Sequence, residues 1–141
     1  MLVAIIGDPM VGHSHQNRIV TIERLSTTIP DYDESLPTRV LFNINAIKRH
    51  REEIMNTHHT KTNIIIDVPT FGDIPKDVRT CVDVFIMTDE PQAIWCMTQL
   101  NLYPDPNNNM VSITFANDYT QQFLMFDRKT RRLRSFGIPS V

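Results

Sequence analysis

The chain has 141 residues, 41% of them hydrophobic, a formal charge of −2 and two cysteines. That length and apolar content suit one domain with a single core of ordinary size, expected to span residues 1–141. The longest apolar runs, such as Leu2 to Ile6 and Ile64 to Ile66, fall far short of the roughly 20 residues that cross a bilayer, so no membrane insertion is expected.

Met1 leads directly into an apolar run and a glycine turn, without the basic start and small-residue cleavage site of a secretory signal, so the protein is expected not to be secreted. Cys81 and Cys96 form no C-x-x-C pair and sit in apolar surroundings, which reads as reduced structural thiols. The weakly acidic balance gives no overall positive field. The basic residues nevertheless cluster, at Lys48 to Arg51 and at Arg128 to Arg134, and leave local patches.

In chain order, Leu2 to Ile6 is an apolar run ended by Gly7, as in a strand buried on both faces, and residues 14 to 27 are expected to form the helix that follows. Thr27 to Pro37 reads as a surface loop and Arg39 to Ile44 as a short strand. From Asn45 to His58, Ala46, Ile47, Ile54 and Met55 fall at helical spacing among charged residues, which predicts an amphipathic surface helix.

Asn63 to Val68 and Val82 to Met87 read as further strands, with a short helix or turn opened by Pro75 between them. Residues 91 to 102 read as a helix begun by Pro91, in which Trp95 and Met97 are expected in the core, and 104 to 109 as a loop. Val111 to Phe115 and Gln122 to Phe126 are expected strands, followed by a turn at Asp127 to Thr130 and a last strand at Arg131 to Phe136. The alternation of strands and helices, followed by hairpin-like strands, predicts an α/β fold: a mixed, mainly parallel sheet with flanking helices and an antiparallel C-terminal edge.

The strongest motif is Gly7-Asp8-Pro9-Met10-Val11-Gly12-His13-Ser14, placed between a strand and a helix. It follows the phosphate-loop pattern G-x-x-x-x-G-K-[ST], whose backbone N–H groups cradle phosphates, whose lysine reaches the terminal phosphates and whose hydroxyl holds Mg²⁺. On this reading the fold is P-loop NTPase-like, and Gly7, Asp8, Val11, Gly12, His13 and Ser14 contact a nucleotide, with ATP and Mg²⁺ as the cofactors. His13 stands where the lysine is expected and cannot bring its fixed positive charge, so hydrolysis is expected to be weak or lost. The two glycines serve a tight βα turn equally well.

The carboxylate that helps the loop hydroxyl to hold the metal belongs at the end of an apolar strand. Val40 to Asn45 ends in the amides Asn43 and Asn45, which cannot act as bases, whereas Ile64-Ile65-Ile66-Asp67 ends in a carboxylate. Asp67 is therefore the candidate to share Mg²⁺ with Ser14 and to serve catalysis. A strand-end Asp before Val68-Pro69 can also simply cap a turn. The pairs His13/His15 and His58/His59 lack the i, i+4 spacing of a helical zinc site and read as exposed histidines.

His58 to Pro69, Phe71 to Arg79 and Val82 to Ile86 together resemble the HerA/FtsK-type packaging ATPases of double-stranded DNA viruses. Ile74-Pro75, Arg79 and Asp83 match in order and spacing, and Phe123 to Thr130 is similar to a late strand and turn of that family. The resemblance implies an oligomer that hydrolyses ATP and moves double-stranded DNA, inside the cell, in a viral factory or in the virion. It also implies a catalytic role for Arg79 toward a neighbouring subunit's phosphate, against which stands a plain surface ion pair. His13, Asn43 and Asn45 depart from the family pattern, so a non-catalytic structural or assembly subunit that keeps the fold is the alternative. A small nucleic-acid-binding module resting on Arg128 to Arg134 is a third reading.

Overall fold

The computed structural model describes residues 1–7, 22–103, 110–116 and 121–138. Strand β1 (Leu2–Ile6) is followed by helix α1, described over residues 22–26, and by β2 (Thr38–Leu41). Two short helices, α2 (Ile44–Arg49) and α3 (Arg51–Met55), lead to β3 (Asn63–Val68). A 3-10 turn (Phe71–Asp73) and α4 (Lys76–Arg79) precede β4 (Val84–Met87). Helices α5 (Glu90–Gln99) and α6 (Met110–Phe115) then lead to the hairpin of β5 (Gln121–Asp127) and β6 (Arg132–Ile138).

The six strands form one sheet in the order β2-β3-β1-β4-β5-β6. The first four are parallel, and β5 and β6 run antiparallel along one side. This is the mixed, mainly parallel sheet with an antiparallel C-terminal edge that the sequence predicts. Strands β1, β3 and β4 are buried at every position, because each is covered on both faces, and that is why β1 and β4 read as unbroken apolar runs and β3 as an apolar run flanked by Asn63 and Asp67.

Alternating side chains divide the core in two. Leu2, Ala4, Ile6, Ile64, Ile66, Phe85 and Met87 point to the face covered by α2 to α6, meeting Ile47, Ile54, Val78, Cys96 and Val111. Val3, Ile5, Ile65, Val84 and Ile86 point to the opposite face, where α1 and the turn after it supply Ile22, Leu25 and Ile29. Each such side chain withdrawn from water contributes about 1.5–3 kcal/mol before the entropy of ordering the chain is counted.

Several local expectations need correction. Val111 to Phe115 is helical: Val111 and Thr114 are buried while Ile113 is 65% exposed, a spacing of three rather than the two of a strand. The strand predicted at Arg39 to Ile44 ends at Leu41, because Asn43 leaves the sheet to cap α2, its side chain accepting from the Ala46 N–H at 2.8 Å. The single helix predicted from Asn45 to His58 is broken at His50 (φ −106°, ψ 21°), whose ring meets the Arg39 guanidinium and the Glu53 carboxylate. Trp95 is 43% exposed and packs edge-on against Phe71, with ring centroids 5.8 Å apart, whereas Met97 is buried as expected. The loop at 104 to 109 and residues 14 to 21 of the first predicted helix lie outside the described residues.

Candidate functional site

In an open α/β sheet the ligand crevice forms outside the carboxyl ends of the strands, where successive connections leave in opposite directions. Here the chain runs from β1 outward to β2, returns through β3 and then crosses to β4 on the other side of β1. The switch point is therefore the carboxyl end of β1, and Gly7 sits on it.

Three strand ends are tied together there. The Gly7 N–H donates to the Val68 carbonyl at 3.0 Å, and the Ile6 carbonyl accepts from the Thr88 N–H at 2.9 Å and from the Thr88 hydroxyl at 3.0 Å. Gly7 has φ +112°, a region that side-chain-bearing residues rarely enter. A Cβ there would overlap Thr88 Oγ1 and come within 2.7 Å of Asp89 Oδ2. The glycine is thus required both for the backbone turn and for the close approach of β4's end.

Asp67 lies beside this turn. It pairs in register with Ile5, is 1% exposed, and shares the sheet face of Ile5 and Ile65, the same face against which α1 packs. Its strand is the immediate neighbour of β1, which puts a buried carboxylate one strand away from the glycine turn. Asn43 and Asn45 follow the outer strand β2, one strand further off; both are exposed, and the side chain of Asn43 is engaged in capping.

Thr88 and Asp89, which motif reasoning passed over, complete the strand-end cluster. Thr88 is buried, and Asp89 caps α5 by accepting from the Gln92 N–H at 2.9 Å. Gln92 in turn accepts from the Phe71 N–H at 2.7 Å, which fixes the segment leaving β3 to the first turn of α5. The available signal was the polar pair directly after an apolar strand and just before Pro91, a helix-start pattern. Its position beside Gly7 follows only from the pairing of β4 with β1.

Arg79 is brought to a different place. Its guanidinium lies 4.3 Å from the Phe71 ring centroid and its Nε donates to the Ile74 carbonyl at 2.8 Å. It packs within the helical layer of its own chain, where it holds the segment between β3 and β4 to α4. Asp83 acts as a clamp at the other end of the sheet, accepting from the Leu2 N–H at 2.8 Å. The remaining loop positions, Asp8, Val11, Gly12, His13 and Ser14, lie outside the described residues.

A glycine turn that admits no Cβ, followed by a return onto the face that carries a buried strand-end Asp, fits the donor set of a phosphate and divalent-metal site. Among the described residues, no group of three or more His, Cys, Asp and Glu side chains could hold a metal ion by itself. Also among them, no helix is long and apolar enough to cross a membrane.

The strand order, the central glycine turn and the antiparallel edge define an α/β fold of the P-loop NTPase-like class. Over 99% of its length the chain is similar in structure to the DNA-packaging ATPase B204 of Sulfolobus turreted icosahedral virus, with a TM-score of 0.56, 11% identity and 83% of that chain covered. It is likewise similar in structure to the genome-packaging NTPase B204 of Sulfolobus turreted icosahedral virus 2. The complex of that protein with AMPPCP gives a TM-score of 0.56, and its complex with ATP-gammaS gives 0.57; in each, identity is 12%, with 99% of this chain and 98% of that chain covered. At these identities the likeness is one of fold. No protein-family profile and no curated protein sequence matches the chain.

Proposed function

We propose that residues 1–141 form one divergent P-loop unit that binds ATP and Mg²⁺ at the carboxyl end of β1, with weak or lost hydrolysis, as a relative of viral DNA-packaging ATPases of the HerA/FtsK type. The observation that carries this reading is the pairing of Gly7, at φ +112° on the switch point, with the buried carboxylate of Asp67 on the adjacent strand. The structural neighbours named as packaging NTPases, two of them holding ATP analogues, support it.

In this reading Gly7, whose own N–H is held by the Val68 carbonyl, turns the chain so that the backbone N–H groups of Asp8, Val11, Gly12, His13 and Ser14 surround the phosphates, and the Ser14 hydroxyl and the Asp67 carboxylate hold the metal ion. Mg²⁺ would neutralise phosphate charge there. His13 offers a mostly neutral ring in place of a fixed cation, which lowers the stabilisation available to a transferring phosphoryl group. Arg79 is the candidate to act on the phosphate of a neighbouring subunit in a homo- or hetero-oligomer. Double-stranded DNA is the proposed polymer partner, and the cell interior, viral factory or virion the setting.

A non-catalytic assembly subunit is the second reading. Val68 favours it, because a fully buried aliphatic side chain follows Asp67 where an additional acid could orient water.

Thermal unfolding with and without ATP and Mg²⁺ tests the nucleotide reading. A ligand at 100 times its Kd stabilises the folded state by about 2.7 kcal/mol, which moves Tm by several degrees in a chain of this size. No shift at millimolar nucleotide defeats the proposal. If binding is present, His13→Lys separates the two readings: gained hydrolysis indicates that the remaining site is competent, and continued inactivity points to the assembly role.

A further inference from the structure

The basic hairpin offers a second functional surface, remote from the glycine turn in sequence. Five cations and one carboxylate fall between Asp127 and Arg134, in a chain whose net charge is −2. They divide by use. The Arg128 guanidinium donates to the carbonyls of Thr80 and of Arg79, the latter at 2.8 Å, and lies 5.4 Å from the Phe85 ring centroid. Arg131 lies over Phe126, 5.9 Å from its ring centroid. Arg132 and Arg134 are exposed, and both stand on the side of the sheet that α1 covers, opposite Asp127 and Met125 in the register of β5 and β6.

The geometry of that face creates a groove. Six strands spaced about 4.8 Å apart are roughly 24 Å wide, whereas α1, the one helix on this face among the described residues, is only about 10 Å across. Beside the turn after α1, two hollows of about 330 and 380 Å³ share Thr28 and Arg134 as a common wall. Arg132 lines the first and Arg134 both, whereas the hydroxyls of Thr27, Thr28 and Thr130 donate within the chain, to the Arg24 and Leu25 carbonyls and to Asp127, so the guanidinium groups supply the positive charge along the groove. One Arg134 nitrogen donates to the Thr28 carbonyl at 3.0 Å, which sets the side chain along the groove. Asp127 also lines it, but its two oxygens accept from the Lys129 N–H and the Thr130 hydroxyl, each at 3.1 Å, so this carboxylate is engaged in shaping the hairpin turn.

We infer that the groove formed by β6 and the turn at Thr27 to Pro30 is a contact surface for the phosphate backbone of duplex DNA, with Arg132 and Arg134 as the charged contacts. Two arginines at i and i+2 on one strand face stand about 7 Å apart and present fixed cations in a row, which suits a repeating polyanion rather than a single base. The inference rests on the proposed DNA partner for the nature of the polymer and on nothing at the nucleotide site.

The test uses the full chain and a short fluorescein-labelled DNA duplex, with anisotropy followed over a salt series. For a backbone contact, log K falls linearly with log salt, and each lost phosphate contact lowers the slope by about 0.9. Arg132→Gln is expected to weaken binding several-fold with a slope smaller by about one. Arg132→Gln with Arg134→Gln is expected to lose at least about tenfold, with a slope smaller by about two. Arg132→Lys restores the slope. An unchanged slope and affinity in the double variant, or no binding by the unmodified chain at low salt, overturns the inference, with far-UV circular dichroism showing that each variant is folded. The ATP-induced Tm shift is unaffected by these substitutions, so failure of the groove and failure of the nucleotide site are read separately.

Discussion

Gly7 and Thr88 meet at the carboxyl ends of β1 and β4 so closely that a methyl group on Gly7 would occupy the space of the Thr88 hydroxyl oxygen. The hydroxyl is itself fixed, since it donates to the Ile6 carbonyl at 3.0 Å, and Gly7 holds φ +112°. Backbone strain and steric overlap therefore add. Gly7→Ala is expected to destabilise the fold by about 2–4 kcal/mol, measured by urea unfolding. A loss under 0.5 kcal/mol, on the order of a surface substitution, would contradict this packing.

Asp67→Asn keeps the side-chain shape and removes the charge. If Asp67 helps to hold Mg²⁺, the unmodified protein gains a larger Tm shift from ATP with Mg²⁺ than from ATP with chelator, and the variant shows the same shift in both. A magnesium-dependent increment surviving in the variant removes Asp67 from the metal site.

Arg79 sets its guanidinium over the Phe71 ring and donates a hydrogen bond to the Ile74 carbonyl. Its removal is a structural as well as a functional change. Arg79→Ala is expected to cost about 1–2 kcal/mol, and Arg79→Lys to recover only part of it, because a compact ammonium keeps a cation near the ring but lacks the Nε donor. Equal stability of all three proteins in thermal scans would show that these contacts contribute nothing.

Cys96 and Cys81 are expected to differ in reactivity. Burial pushes the Cys96 thiol up from 9.0 to about 12, partly offset by the positive charges of Arg128 and Arg79, whereas Cys81 is half-buried. At pH 8 a disulfide reagent should label Cys81 in the folded chain and reach Cys96 only on unfolding. The sign for stability follows: above pH 9 the unfolded chain releases the Cys96 proton while the folded chain keeps it, so stability falls as pH rises from about 9 toward 12. Between pH 8 and pH 10 the unmodified protein is expected to lose about 1 kcal/mol more than Cys96→Ala does, read from paired urea titrations.

The central strands were legible because a strand covered on both faces must be apolar throughout, and Leu2 to Ile6 and Ile64 to Ile66 are. Helix α6 was not legible, because Val111-Ser112-Ile113-Thr114-Phe115 alternates apolar and polar residues and is rich in branched side chains, both strand signals. Burial of Val111 and Thr114 outweighs that local preference. At the candidate site, Gly7 and Asp67 could be read as strand ends. Thr88 and Asp89 could not be placed beside Gly7, because their proximity depends on which strand lies next to β1 across some 80 residues of sequence.

The strand order also has a bearing on how copies of this chain could meet. Among the described residues, β2 and β6 end the sheet, and an open strand edge is a template on which another chain can add its own strand. β2 limits this by its length of four residues and by exposed Arg39, held by Glu53. β6 limits it by the charge and bulk of Arg132 and Arg134, which make the stacking of like edges repulsive. Copies of this chain that meet edge to edge are thereby discouraged from zipping into one continuous sheet, and would part again without backbone ladders being broken.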